Sequence, residues 1–342
     1  MVHYRHSYHA GNFADVFKHV LLVGLLAGLN RKDKPWCFLD THAGAGDYEL
    51  GSEGATRTGE WRDGIGRLED AGDVADAPEL VAEYLRLIRL GRSQGVADHY
   101  PGSPQFARAM ARAGDRLVLC EKVPEVAAEL KRSLRGDPRA VVHVRDGYEA
   151  HALLPPPEKR GLMLIDPPFE RSDEMDAIAD LIGKSVERFA GGIYAAWYPI
   201  KNRHLVSRCV RRVARETGKP VLNLEFDNGE ESGDEIRFAS TERNKPERPA
   251  RTGGPTRAEA LRGGPVRTTG RGGPPRHQDA SPGIVRVKEK VTMHACGLLV
   301  VNAPFGFEQS ASQALQWLKP RLAQGSRASF TIEHGVAEAP ER

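Results

Sequence analysis

The run Asp166-Pro167-Pro168-Phe169 follows an apolar stretch, LMLI (Leu162–Ile165), and its residue types suit one kind of chemistry. An exocyclic amine on a nucleobase is a poor nucleophile, because its lone pair is delocalised into the ring. Two acceptors aimed at its N–H groups pull the nitrogen toward tetrahedral geometry and free that pair. The Asp166 carboxylate and the Pro167 carbonyl are suited to this, since consecutive prolines hold the backbone rigid. Phe169 offers a face on which a base can stack. The set fits methyl transfer to such an amine, with the proton leaving afterwards, to Asp166. A base must leave its stack to reach it. Taken alone, the run could also be a turn after a buried strand.

Three other strand ends carry acids or glycines. The first apolar run ends in Asp40-Thr-His-Ala-Gly44-Ala-Gly46, the next in Glu121, and VVHVR in Asp146-Gly147. Glycines where a strand turns toward a helix let a ligand approach the backbone. In doubly wound sheets, ligands sit at the carboxyl ends of the strands. A dinucleotide fingerprint would need a third glycine at position 49, where Glu49 stands, so a nicotinamide enzyme is disfavoured. Carboxylates on adjacent strand ends instead suit a ligand bearing a cation, a ribose diol and an adenine amine. S-adenosylmethionine has all three. Singly, each acid could equally cap a helix or carry surface charge.

The N-terminal YRHSYHAGNFADVFKH is a second unusual element. Asn12 is placed to cap a helix whose apolar stripe is Phe13, Val16, Phe17 and Val20, with Lys18 and His19 on or near the polar side. His6, His9 and His19 are spaced by three and then ten residues, which is no zinc pattern. No metal is expected.

These residues need a scaffold. Trp36–Asp40, Leu117–Glu121, Val141–Val144, Leu162–Asp166, Gly192–Tyr198, Val221–Phe226 and Ala295–Asn302 read as short β runs. Helical patterns separate the first six, which implies a parallel α/β sheet with helices on both faces. No helical pattern lies between Phe226 and Ala295, so the last two strands should form an antiparallel hairpin. The region 50–110 is too long for one connection and reads as a helical subdomain inserted after the first strand.

Residues 241–282 stand apart. Within 241–277 there are seven Gly, six Pro and nine Arg or Lys against three Glu. That span carries +6, which leaves −3 on the remaining 305 residues of a chain whose total is +3. The segment has too few apolar groups to offset the entropy of ordering and reads as disordered. Any nucleic-acid footprint on the rest must be a local patch. No run approaches the roughly 18–20 uninterrupted apolar residues of a membrane span. The scattered Cys37, Cys120, Cys209 and Cys296 form no C-x-x-C pair, which suits a reduced, cytoplasmic protein.

Together, D-x-x-x-G-x-G, D-P-P-F and the N-terminal Y-R-H-x-x-H-A-G-N-x-x-D-x-x-K-H closely resemble the bacterial 23S ribosomal RNA adenine-N6 methyltransferases of the RlmJ type. The match extends over nearly the whole chain, through Tyr100-Pro-Gly-Ser-Pro104, Gly192-Ile-Tyr194 and Trp197-Tyr-Pro199. The resemblance implies a class I S-adenosylmethionine-dependent methyltransferase fold, Rossmann-like, with a seven-stranded sheet. Residues 1–30 would form an N-terminal motif and helix covering the active site, and 31–240 with 283–335 the methyltransferase domain. It implies that His19, His42, Gly44, Gly46, Ser103, Glu121, Asp146, Gly147 and Asp166 hold S-adenosylmethionine. Asp166 would be the catalytic acceptor, with Pro167 and Phe169 beside it. Tyr4, His6, Lys18 and Phe169 would meet the substrate adenine. The implied partner is 23S ribosomal RNA, met by a monomer with no membrane and no obligate protein partner. Phe169 replaces the commoner Tyr, and the Gly/Pro/Arg segment is longer than relatives carry. The rival readings are a DNA adenine-N6 or cytosine-N4 methyltransferase, and a non-catalytic RNA-binding protein.

Overall fold

The computed structural model describes residues 8–70, 74–93, 98–230 and 293–335. The chain divides into one unit of Met1–Glu231 with Thr292–Arg342 and a second of Ser232–Val291. The elements of the fold and the candidate site belong to the first unit. The expected disordered segment, 241–282, lies outside the described residues.

In chain order the elements begin with α1 (Phe13–Asn30), β1 (Cys37–Asp40), β2 (Asp47–Glu49), α2 (Glu53–Thr58), α3 (Ile65–Asp70), α4 (Glu79–Ser93), β3 (His99–Pro101) and α5 (Ser103–Met110). They continue with β4 (Arg116–Glu121), α6 (Pro124–Ser133), β5 (Ala140–Val144), β6 (Gly161–Ile165), α7 (Glu174–Arg188), β7 (Ile193–Pro199) and α8 (Arg203–Thr217). The last are β8 (Val221–Asp227), β9 (Ala295–Val301), α9 (Phe307–Leu322) and β10 (Ser329–Gly335).

The main sheet has eight strands in the order β10-β8-β9-β7-β6-β1-β4-β5. The expected number was seven. The additional strand, β10, pairs antiparallel with β8 at the edge of the sheet. Its sequence, SFTIEHG, offers only Phe330 and Ile332 as apolar residues, and it is largely exposed. An edge strand of this kind carries little hydrophobic signal.

Strands β7, β6, β1, β4 and β5 are parallel neighbours. Strands β8 and β9 pair antiparallel, as expected of a hairpin, and β9 also pairs antiparallel with β7. Phe38, Leu117, Leu162 and Ala195 point into one core with residues of α1, α4, α5 and α9. Leu39, Val118, Met163 and Tyr194 point into the other with α7 and α8. Burial on both faces explains why β1, β4, β6 and β7 read as near-continuous apolar runs.

Helix α1 is the central helix of the first core. Asn12 Oδ1 accepts from the Asp15 N–H at 3.0 Å, as the sequence suggests. The expected polar side is absent, however: Asp15, Lys18 and His19 are 4%, 4% and 1% exposed. The helix packs against α4, α5, α9 and β9. By length and composition it would pass for a membrane span, but 78% of it is buried inside the fold. Val16, Phe17, Val20, Leu21 and Leu25 are fully buried. Each contributes about 1.5–3 kcal/mol, which offsets the desolvation of the charged residues among them.

Between β1 and β4 the chain leaves and returns through the β2–β3 ladder, where Tyr48 pairs with Tyr100. Helices α2, α3 and α4 lie within this excursion. Helix α5, placed in it by the sequence reading, lies against β1 and β4 instead.

Candidate active site

The carboxyl ends of β1, β4, β5 and β6 meet where the strand order reverses on either side of β1. Crevices of that kind are where ligands bind in open α/β sheets. Asp40, Glu121, Asp146 and Asp166 all stand at this edge.

Asp166 is the best-defined centre. Its Oδ2 accepts from Lys18 Nζ at 2.6 Å. Lys18 Nζ also lies 2.9 Å from Asp15 Oδ1, and Asp15 Oδ2 accepts from the Gly11 N–H at 2.9 Å. Burial penalises the Lys18 ammonium, but the two carboxylates outweigh it and hold its pKa well above the ordinary lysine value. Among the described residues nothing bonds Asp166 Oδ1. The ammonium lies 5.7 Å from the centre of the Trp197 ring. Trp197 in turn meets Phe169 edge to face at 5.8 Å. Phe169 is half-buried and has a φ of 52°, in the left-handed region that bulky side chains rarely enter. Such strain persists where its surroundings enforce it, often at functional sites. Pro167 is buried and Pro168 exposed.

Asp40 is fully buried at the end of β1. Its Oδ2 accepts from the Ser103 hydroxyl at 2.6 Å and its Oδ1 from the His42 N–H at 3.1 Å. One carboxylate thus ties together two expected cofactor ligands from separate parts of the chain. Burial raises its pKa to about 7, against the pull of the Ser103 bond. Burial lowers the His42 pKa to about 4, so its imidazole is neutral near pH 7. That ring meets Tyr148 edge to face at 5.3 Å.

Glu121 is half-buried at the end of β4. Its Oε2 accepts from the Gly44 N–H at 3.1 Å and its Oε1 from the Val123 N–H at 2.8 Å. Burial pushes its pKa up. Gly44 has a φ of 60°, and a Cβ there would meet the Tyr48 hydroxyl at 2.2 Å. Gly147 is equally confined, since a Cβ would lie 2.2 Å from the Thr41 carbonyl and 2.6 Å from the His42 ring. The β1 and β5 loops therefore touch. Gly46 turns the same loop as Gly44, with a φ of 80°. Asp146 accepts from Lys122 Nζ at 2.8 Å and caps a 3-10 turn through the Tyr148 N–H. Burial raises its pKa, and those two bonds more than reverse the effect.

The structure thus brings together Asp166, Lys18 and Phe169 around one centre. It groups His42, Gly44, Gly46, Ser103, Glu121, Asp146 and Gly147 around a second, adjoining one. His19 sits in the core, where its Nδ1 is 2.8 Å from the Tyr100 hydroxyl and its ring packs on Phe106. Tyr4 and His6 lie outside the described residues. The sequence reading gives Asp15, Asp40 and Trp197 no site role, although Asp40 ends the first apolar run and Trp197 stands in the Trp197-Tyr-Pro199 match. Asp40 stands in the same D-x-x-x-G-x-G run as Gly44, which was the available signal for it. Among the described residues, no three His, Cys, Asp or Glu side chains gather as metal ligands.

The donor set fits S-adenosylmethionine. Glu121 keeps acceptor capacity on both oxygens for a ribose diol, and backbone approaches closely at Gly44 and Gly147.

Sheet order and site define a class I methyltransferase. The family model described as "Ribosomal RNA large subunit methyltransferase D, RlmJ" matches residues 33–240. The chain belongs to that family. It is 32% identical over 339 residues to Ribosomal RNA large subunit methyltransferase J of Escherichia coli, covering 99% of this chain and 100% of the relative. It is 39% identical over 228 residues to the protein of that name in Haemophilus influenzae, covering 66% of this chain and 80% of the relative. Among solved structures, protein LPL1258 from Legionella pneumophila matches with a TM-score of 0.70 at 30% identity, covering 96% of this chain and 98% of that one.

Proposed function

We propose that the protein transfers a methyl group from S-adenosylmethionine to the N6 amine of an adenine in 23S ribosomal RNA, in the cytoplasm. The observation that carries this reading is the state of Asp166: Lys18 fixes one carboxylate oxygen at 2.6 Å, and among the described residues the other accepts no hydrogen bond. A pinned carboxylate with one such oxygen suits acceptance from one amine N–H.

When bound, S-adenosylmethionine supplies an electrophilic methyl group on a sulfonium. Glu121 would accept from its ribose, with Asp146, Gly147, His42 and Ser103 completing the cofactor set, whereas His19 stays in the core against Tyr100 and Phe106. Asp166 Oδ1 and the Pro167 carbonyl accept from the two amine hydrogens and localise the lone pair on N6. Phe169, braced by Trp197, stacks on the flipped adenine. N6 would take the methyl group that S-adenosylmethionine supplies, leaving the donor as its thioether, and the N6 proton would pass to Asp166. Lys18 meanwhile bridges Asp15 and Asp166 and offsets part of their charge.

The experiment is to incubate the protein and S-adenosylmethionine with ribosomal RNA from a strain lacking it, then digest and analyse the nucleosides. N6-methyladenosine in 23S ribosomal RNA is expected. Absence of N6-methyladenosine from 23S ribosomal RNA, or a mark confined to cytosine N4, would overturn the reading.

A further inference from the structure

We propose that Tyr8, Arg57, Trp61 and Arg62 form a docking ledge for the single-stranded RNA that flanks the target nucleotide. The inference rests on the RNA-methylation reading above and adds a surface to it.

Many arginines on this molecule are tied to carboxylates, among them Arg67, Arg86, Arg139, Arg208 and Arg212. Among the described residues, Arg57 and Arg62 meet no carboxylate. Both are exposed, and both lie over aromatic rings: Arg57 is 5.7 Å from the centre of Tyr8, and Arg62 is 5.1 Å from the centre of Trp61. Two of the nearby acids, Glu60 and Asp63, are engaged elsewhere, while the exposed Glu53 makes no ion pair with Arg57 among the described residues. Glu60 accepts from Asn12 and contacts His9, and Asp63 pairs with Arg67. Two guanidinium groups thus keep their charge available beside two half-buried aromatic faces.

The ledge is fastened to the active-site helix. The Thr58 hydroxyl donates to the Tyr8 carbonyl, and Asn12 Nδ2 donates to Glu60 at 3.2 Å. The Ile65 N–H donates to the Gly11 carbonyl at 2.9 Å. Asn12 caps α1, and Lys18 follows six residues later, about 9 Å along the axis at 1.5 Å per residue. Lys18 contacts Asp166. The ledge therefore stands within a few nucleotides' reach of the reacting amine.

An adenine can reach Asp166 only when unpaired, so its neighbours are at least partly unstacked. Unstacked bases are recognised by stacking on aromatic rings and guanidinium planes, and their phosphates by free arginine charge. The ledge offers both. The remainder of the fold is mildly acidic by sequence, so a local basic, aromatic patch is the form such a footprint must take.

The test compares wild type with the Arg57→Ala/Arg62→Ala and Arg57→Lys/Arg62→Lys double variants. The probe is a 12-nucleotide single-stranded oligoadenylate, read by fluorescence anisotropy over a range of salt. Binding needs no turnover, so the result is independent of which base is methylated. The Ala pair should bind roughly tenfold more weakly at low salt. Its log–log salt slope should be shallower by about 1.4, for two phosphates at about 0.7 each. The Lys pair should recover the slope, though not all of the affinity. Calorimetric affinity for S-adenosylmethionine should be unchanged in all three, which shows the site intact. A folded Ala pair with wild-type affinity and slope overturns the ledge, as does a wild type that does not bind the oligonucleotide. Absence of N6-methyladenosine from treated ribosomal RNA would instead defeat the methylation reading.

Discussion

Lys18 and Asp166 stand 148 residues apart in sequence and meet at 2.6 Å in the folded chain. Helix α1 brings its ammonium into the core, 5% exposed, to serve two carboxylates at once. The arrangement couples the fold to the site. The same contact that makes a buried lysine tolerable also fixes the orientation of Asp166.

Removing that cation should therefore damage stability as well as rate. Lys18→Met leaves Asp15 and Asp166 facing each other in a buried site. Loss of one partner from a buried pair costs about 3–5 kcal/mol. Urea denaturation should show a lower midpoint with an unchanged slope. An unchanged midpoint would mean that the ion pair carries no structural weight.

Asp40 predicts a dependence on pH. Its folded pKa, about 7, is above the ordinary carboxyl value of 3.8, chiefly through burial. The folded state then binds more protons than the unfolded state between about pH 4 and pH 7. Stability from this group is full below pH 4, declines across that window and is lowest above pH 7. The size is on the order of 4 kcal/mol, at about 1.4 kcal/mol for each pKa unit. Asp40→Asn keeps an acceptor but cannot ionise, so the stability of wild type relative to the variant should fall across that window. Parallel stability–pH curves would show that Asp40 does not titrate there.

The two centres differed in how legible they were from sequence. Asp166-Pro-Pro-Phe169 announces itself because its chemistry lies in contiguous residues. Gly44, Glu121 and Gly147 could be read because strand ends converge in a doubly wound sheet. Asp15 and Lys18 were harder. Charged residues on a helix normally mark its wet face, and this pair is buried because its members face each other and Lys18 also meets the distant Asp166. Trp197 was lost inside an apolar strand, where an aromatic reads as core. Strand β10 was missed because its exposed edge needs few apolar residues. The β8–β9 hairpin was legible because nothing helical lies between its strands.

Glu121 should act on cofactor binding alone. Its carboxylate accepts two backbone N–H groups and keeps further capacity at the edge of the sheet. Glu121→Ala should weaken S-adenosylmethionine binding by about 1.5–3 kcal/mol, as for loss of a hydrogen bond to a charged group. Circular dichroism should show the fold retained. Calorimetry giving wild-type affinity in the folded variant would remove Glu121 from the cofactor site.

Asp166 and Phe169 should separate rate from binding. Asp166→Ala should lower the rate by at least about 10²–10³-fold, as for loss of one preorganised polar group. Phe169→Tyr keeps the stacking face and should be nearly neutral. Phe169→Ala should raise KM for RNA strongly, since a base–aromatic stack is worth about 1–3 kcal/mol. Steady-state kinetics on ribosomal RNA read all three. An Asp166→Ala enzyme that keeps most of its rate would sink the proposed chemistry.

The basic segment gives the last prediction. Pro199 of β7 and Phe226 of β8 both pair with Cys296 of β9, so β8 ends and β9 begins at the edge that carries Asp166. The described chain therefore leaves β8 and resumes at β9 on that edge. The arginines of residues 241–280, at 243, 248, 251, 257, 262, 267, 271 and 276, are spread among Gly and Pro. That pattern offers phosphate contacts through counterion release but no fixed face for reading bases. Replacing 241–280 with a short Gly/Ser loop should leave folding, cofactor affinity and the choice of adenine unchanged. RNA affinity should fall modestly, and its salt dependence should become shallower. An identical salt slope in the shortened enzyme would make the segment a passive insertion. Failure to fold, or a different methylated nucleotide, would show that these residues belong to the working structure of the enzyme.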